Sequence, residues 1–337
     1  MSAPVPLAGQ THSGASTAKS PARLPSWTPP RTSDGQPDLQ GTWISNRATP
    51  LERPAELGAR RLLTDGEVTE LVKRANRLLE GGSGDYAGGD NLFLAALANV
   101  DHYKNPSATE PSADMVERVF DNRTSLIIDP PDGKIPPLTR EGQARLDGAV
   151  EARRAVAPRG AEDLPADLRC ITFGVPRLGG NYGAGPYSYY QILQSANYVV
   201  LHQEFIHESR IVPLDGRPHL PVRVRQWNGD SRGRWDGNTL VVETTNFSAN
   251  SFYQGSREHL HLVERFTRVA PDAIDYQVTL TDPTTWTKPW TARIRLTETH
   301  EAIFESACHE GNSLILGILQ GGRTSEVTEG ARKQGSK

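Results

Sequence analysis

Between Tyr189 and Ser306 the chain carries a succession of short apolar or alternating runs, and no helical stretch separates them. The candidate strands are Tyr189–Gln194, Tyr198–Gln203, Ile206–Val212, Val222–Trp227, Thr239–Thr245, His259–Val269, Ala273–Asp282, Trp290–Thr297 and Ala302–Ser306. Turn signals punctuate them, among them Leu214-Asp215-Gly216-Arg217-Pro218, Asn228-Gly229-Asp230, Asp236-Gly237-Asn238, Ala270-Pro271-Asp272 and Asp282-Pro283. Parallel strands need a crossover of a dozen or more residues, usually a helix. Such a series therefore predicts an antiparallel sheet, and closure of that sheet removes its exposed edges. The expected fold is mainly β: a closed antiparallel lipocalin-like barrel, of a size that can hold one small ligand.

The rest of the chain decorates this barrel. Residues 1–38 are rich in Ser, Thr, Pro, Gly and Ala and read as a disordered or wrapping arm, with Trp27 as its anchor. Residues 39–188 read as an irregular segment with two helices, 189–312 as the barrel and 313–337 as a tail. Pro37–Trp43 leads into the folded part, with Trp43 as its anchor. The first helix starts at Thr64, where Thr64 and Glu67 match a capping box. Val68, Leu71, Val72, Ala75 and Leu78 follow at helical spacing, and Gly81-Gly82 stops the helix. A short buried strand is expected at Ser125–Asp129 and a second helix at Thr139–Ala155. The 31 glycines and 25 prolines exceed the average share of about 12%. They cluster in the arm, in a long loop over 157–187 and in the turns of the strand half.

Charge excludes some functions. With 37 basic and 40 acidic residues the formal net charge is −3, without the basic excess of a phosphate-backbone binder. No nucleic-acid partner is expected. No apolar run approaches the ~20 residues that span a bilayer as a helix, so no membrane partner is expected either. Met1–Gln10 carries no basic stretch followed by a long apolar one, so no signal peptide is legible. Oligomeric state is left open. Cys170 and Cys308, the two cysteines, belong to no CxxC pair. They read equally as two buried thiols or as one disulfide, which would close a long loop and stabilise by about 4 kcal/mol.

Chemistry concentrates in the strand half. Seven of the nine histidines follow residue 200: His202, His207, His219, His259, His261, His300 and His309. Alternation places His207, Ser209 and Ile211 on one strand face, with Glu208 and Arg210 on the other. It likewise places His259, His261, Val263 and Arg265 opposite Leu260, Leu262, Glu264 and Phe266. The histidine face pointing inward would make a site; pointing outward it would be a solvated surface. HExxH, GxSxG and GxxxxGK[ST] are absent, and the glycines at 179–185 follow no strand. Cys308-His309 adjacency does not make a nucleophile, because neighbours on a strand point apart. What remains is proton transfer between histidine and carboxylate.

The expected function is a cofactor-independent acid/base enzyme, a lyase, dehydratase, isomerase or cyclase, acting on a small hydroxylated or aromatic molecule. His207 or His261 would be the base, assisted by Glu264, and His309 or Tyr190 the acid. Arg210 or Arg265 would hold an oxyanion or carboxylate, with Trp227, Asp230, Tyr187 and Tyr276 lining the substrate pocket. Two alternatives stay open. One is a lipocalin-like binding protein without chemistry, with its histidines outside. The other is a metal-dependent hydrolase using His259 and His261, with His207 or His309 as a third ligand. In the Trp227–Trp235 stretch two tryptophans and two arginines surround a tight turn and read either as cation–π stacking or as a clamp for a substrate carboxylate.

Nine segments carry a resemblance: Trp27–Thr32, Pro37–Trp43, Thr49–Pro54, Arg210–His219, Gly229–Trp235, Leu240–Phe247, Val263–Val269, Asp282–Trp286 and Ala307–Asn312. Through them the chain resembles a family of largely uncharacterised bacterial proteins, abundant in soil acidobacteria and commonly exported. The strand half is also similar to lipocalin-type barrels. The resemblance implies a barrel and a periplasmic or secreted location, and it supplies no catalytic residues. His259 stands where the family often has a polar, non-titrating residue, which favours His261 over His259 as the base.

Overall fold

In a computed structural model the described residues are 27–80, 91–100, 119–155, 158, 160–178, 189–310, 312–313 and 315–324. The expectations for the first 26 residues, for Gly81-Gly82, for the glycines at 179–185 and for Tyr187 lie outside them. The strands are β1 (Gly41–Ile44), β2 (Ile127–Asp129), β3 (Tyr189–Gln194), β4 (Tyr198–Gln203), β5 (Glu208–Pro213), β6 (Asp230–Asp236), β7 (Thr239–Thr245), β8 (His261–Ala270), β9 (Ala273–Thr281) and β10 (Trp290–Thr299). The helices are α1 (Asp65–Glu80), α2 (Asn91–Ala98), α3 (Arg140–Ala155) and α4 (315–324). None is long and apolar enough to cross a membrane.

Nine strands form one antiparallel sheet in the order β5-β4-β3-β1-β10-β9-β8-β7-β6, and β2 adds to β10 beside this path. The sheet curls into a nearly closed barrel with one unsealed seam, between β5 and β6. Arithmetic of direction explains the seam. Every neighbouring pair along the path is antiparallel, so in a row of nine the first and last strands run the same way. The antiparallel ladder therefore cannot continue from β6 to β5. Side chains close the gap instead: β5 lies so near β6 that a Cβ on Gly233 would stand 2.6 Å from Leu214 Cδ2 and 2.8 Å from Val212 Cγ1.

The inward face is the apolar face. Leu240 and Val242 of β7, Leu262 and Phe266 of β8, Val278 and Leu280 of β9, and Ile294 and Leu296 of β10 are buried in one continuous core. Removing this area from water is the main stabilising term for such a barrel. Trp43 of β1 is fully buried there; its indole donates to Leu39 O (2.9 Å) and the Arg268 guanidinium lies 5.2 Å from its ring centroid. A second, smaller core joins α1 to α2 through Leu71, Ala75, Leu78, Leu92, Phe93 and Ala96. The α1 start is capped as expected, with Glu67 N donating to Thr64 Oγ1 (3.3 Å) and Thr64 N to Glu67 Oε2 (2.8 Å). Helix α3 docks on the β9–β10 loop, where a Cβ on Gly142 would meet Thr285 O at 2.5 Å and Arg145 donates to Thr284 O (2.9 Å) and Thr285 Oγ1 (2.8 Å).

Several strand expectations need correction. Val222–Trp227 is not a strand: Pro218 and Pro221 precede it, and Val222 is 69% exposed with no face to pack on. The Trp227–Trp235 stretch, expected to surround a tight turn, turns only at its start, at Trp227-Asn228; Asp230–Asp236 is strand β6, and the expected turn at Gly237-Asn238, with Gly237 at φ 60°, follows it. Ala302–Ser306 joins no ladder, and Phe304 is 71% exposed. The first half of the chain contributes more than decoration, since β1 is a stave between β3 and β10. Trp27, the expected anchor of the arm, is 37% exposed.

Cys170 and Cys308 form a disulfide. It ties the 165–175 loop to the segment after β10, and Asn312 Nδ2 donates to Leu168 O (2.6 Å) beside it.

Candidate functional site at the barrel mouth

One strand parity decides where the chemistry lies. On β8 the buried face is Leu262, Glu264 and Phe266, so His261 and Arg265 point outward. The apolar partners dictate this choice, because turning the strand over would expose Leu262 and Phe266 to water. His261 Nε2 lies 2.8 Å from Glu243 Oε1 and Arg265 donates to Asp236 (2.9 Å), both on the outer surface. His207 sits exposed in the turn before β5, with Nδ1 3.1 Å from Ser306 O, and His309 is exposed beyond the disulfide. The structure therefore does not bring His207, His261 and His309 together, and puts none of them inside the barrel. Asp230 is buried on the outer side of β6, where it accepts from Arg232 (2.7 Å) and Leu220 N (3.0 Å) and pairs with His219 (2.9 Å), fastening the 218–221 segment. Among the described residues, no three His, Cys, Asp or Glu side chains converge with metal-ligand spacing.

Four other expected residues do meet. Arg210 on β5 holds Glu264 with two bonds, Nη1 to Oε2 (2.6 Å) and Nη2 to Oε1 (2.9 Å). Tyr276 on β9 donates to Glu264 Oε1 (2.8 Å), and its ring stacks on Phe266 at 4.6 Å. Tyr190 on β3 is buried nearby, its hydroxyl donating to Arg177 O (3.3 Å). Burial drives the Tyr190 hydroxyl up to about 12 and raises that of Tyr276 well above the ordinary phenol value, the latter with help from the Glu264 charge. Burial works against the Arg210 charge, but the adjoining Glu264 carboxylate overcomes it and raises the pKa. At neutral pH the cluster is a fixed arginine–carboxylate pair with two neutral phenols around it.

Nearer the mouth lies a second buried pair that the sequence reading did not name. Arg177, fully enclosed, is paired with Glu208 at the start of β5. Glu208 Oε1 also accepts from Phe173 N (3.2 Å) and Asn228 Nδ2 (3.0 Å), and Asn228 in turn accepts from Thr172 Oγ1 (2.8 Å). The guanidinium of Arg177 stands 5.4 Å from the Phe173 ring centroid, while its Nε and Nη1 have no hydrogen-bond partner among the described residues. The signal for Glu208 was its alternation with Arg210; nothing in the 157–187 loop marked Arg177.

Directly outside this pair is a cavity of about 170 Å³. Its walls come from the 165–175 loop and from the chain that precedes β6, follows β7 and leads into β8. Phe173, Trp227, Phe247, Phe252, Tyr253 and Leu260 supply the apolar surface; Asp167, Thr172, Asn250, Ser251 and Ser256 supply polar groups. Trp227 is thus the expected pocket residue that lines this space. Phe247 is held by the core and Ser256 by a 2.5 Å bond to Asp282, so much of the wall is fixed before any ligand arrives.

No family model matches this sequence, and neither the curated proteins nor the solved structures compared with it give a match.

Proposed function

We propose that this protein is a small-molecule-binding barrel whose ligand is a single-ring aromatic or small hydroxylated compound held at the barrel mouth. One observation carries the reading: the cavity is walled by Phe173, Trp227, Phe247 and Tyr253 and bordered by side-chain hydroxyls and amides, while the three candidate catalytic histidines lie elsewhere. Its volume is close to the ~150 Å³ that houses benzene in an engineered apolar cavity. Aromatic walls with a few placed polar groups are the usual make-up of such sites. The Cys170–Cys308 bridge ties down the wall loop and supports an oxidising compartment for the protein.

The test is titration with phenol, catechol and 4-hydroxybenzoate, followed by indole fluorescence and calorimetry. Saturable binding at or below about 1 mM is expected. It should weaken at least tenfold in Trp227→Ala, with the melting profile retained. Failure of all three probes, or equal affinity in the variant, would overturn the reading.

A second reading, the acid/base enzyme, is favoured by the meeting of Tyr190, Arg210, Glu264 and Tyr276 inside the barrel. It requires the substrate to displace Arg210 from Glu264. Glu264→Gln would then abolish turnover and leave cavity binding intact.

A further inference from the structure

The cavity at the barrel mouth has one ionic wall. Asp167 is the charged residue of its lining, and no Lys, Arg or His is among the described residues that line it. Asp167 is half-buried in the turn that opens the 165–175 loop. That turn is held by its own backbone: Arg169 N donates to Pro165 O (3.2 Å), Cys170 N to Asp167 O (3.0 Å) and Ile171 N to Ala166 O (2.9 Å). The disulfide at Cys170 fastens its end. The carboxylate of Asp167 has no ion-pair or hydrogen-bond partner among the described residues.

The hydroxyls around it are already committed. Thr172 Oγ1 donates to Asn228 (2.8 Å), Ser251 Oγ to Trp227 O (2.6 Å) and Ser256 Oγ to Asp282 (2.5 Å). A carboxylate beside aromatic surface loses hydration and gains nothing in return until a cation meets it. The rings favour the same charge. Aromatic faces carry the negative side of the ring quadrupole, and an indole face is the strongest cation acceptor of the three. Trp227 supplies an indole to this wall. Two other walls already take cations: the Arg177 guanidinium stands 5.4 Å from the Phe173 centroid and that of Arg257 stands 5.9 Å from the Phe252 centroid. Neither arginine lines the cavity, and Arg177 is answered by Glu208.

We propose that the ligand of this cavity is a small aromatic amine, with its ammonium on Asp167 and its ring against Trp227. The proposal rests on the reading of the mouth as a small-molecule site and narrows it. Of the single-ring compounds that fit, those with a protonated amine use both the carboxylate and the ring faces. An ammonium–carboxylate hydrogen bond is about twice as strong as a neutral one. The partly enclosed setting strengthens it beyond an exposed surface pair. A ring bearing a carboxylate meets Asp167 with like charge and is disfavoured.

Calorimetry with tyramine, phenol and 4-hydroxyphenylacetate tests this preference, because the three share one phenol ring and carry a cation, no charge and an anion. Tyramine is expected to bind about tenfold tighter than phenol, or better, and to compete with it; 4-hydroxyphenylacetate should bind more weakly than phenol. In the isosteric variant Asp167→Asn the tyramine-to-phenol affinity ratio should fall close to one. The comparison of ligands is made on the parent chain, so it stands whether or not the variant folds. Phenol binding without an advantage for tyramine, tighter binding of 4-hydroxyphenylacetate, or an unchanged ratio in Asp167→Asn would each overturn the proposal and leave the mouth site standing. Failure of all three ligands to bind would overturn both.

Discussion

Arg210 on β5 grips Glu264 on β8 across the interior, through two hydrogen bonds of 2.6 and 2.9 Å. Strand β5 is one margin of the sheet, and β8 belongs to the group of strands that ends at the other margin. The pair therefore links the two ends of a sheet that no backbone ladder joins. Removing one partner leaves a buried charge without its counter-ion, which costs about 3–5 kcal/mol. Arg210→Met is expected to lose that much in urea unfolding. The double variant Arg210→Met/Glu264→Leu should recover most of it, because no charge is then stranded.

The buried phenols set the alkaline limit. In the unfolded chain a tyrosine ionises near 10, whereas folded Tyr190 does so at about 12. Between those values the unfolded state has released a proton that the folded state retains, so stability falls as pH rises. The contribution is complete below pH 10 and is lost by pH 12, at about 1.4 kcal/mol per pH unit for each such tyrosine. Denaturant midpoints measured from pH 8 to 11.5 should drop above pH 10. Tyr190→Phe should make that drop shallower.

Reduction of the Cys170–Cys308 disulfide is expected to act on the mouth. In the chain-entropy account a bridge closing so long a loop contributes about 4–5 kcal/mol. Thr172, Phe173, Gly174 and Val175 line the cavity directly after Cys170. The Cys170→Ser/Cys308→Ser variant should therefore melt lower and bind phenol more weakly. Unchanged affinity would show that the loop holds its place without the bridge.

His261→Ala should be nearly silent. Its pairing with Glu243 is on the outer surface, with both side chains over a third exposed, and exposed pairs contribute about 0–1 kcal/mol. Phenol affinity should not change. A large loss of affinity would mean that the ligand sits outside the barrel.

Gly233→Val should strain the seam. Its Cβ would collide with Val212 and Leu214, and overpacking of this kind costs about 1–3 kcal/mol. Thermal melts of the variant against the parent chain measure it.

The parts that were legible follow alternation. β7, β8, β9 and β10 were readable to within a few residues because each sets Leu, Ile, Val or Phe on one side against polar groups on the other. The same pattern carried the information that Glu264 faces inward, since Leu262 and Phe266 flank it at two residues' spacing. β6 was hidden because Asp-Ser-Arg-Gly-Arg-Trp-Asp has the composition of a turn; it can be so polar because it is a margin strand with a glycine facing β5. β1 was hidden because four residues carry little periodicity and its partners, β3 and β10, lie far along the chain. The cavity was illegible for a related reason. Its walls, Trp227 included, come from loops and turns, and no local pattern reports which loops converge.

The parallel orientation of β5 and β6 has a mechanical consequence. A barrel closed by hydrogen bonds must break a ladder to open; this one need not break any between its margins, because among the described residues no ladder joins them. It is a curled ribbon fastened by a clasp of Val212, Leu214 and the Arg210–Glu264 pair. Slackening that clasp would let the ribbon uncurl as a hinge does, every strand keeping its neighbours, and would admit a guest from the side as well as from the mouth.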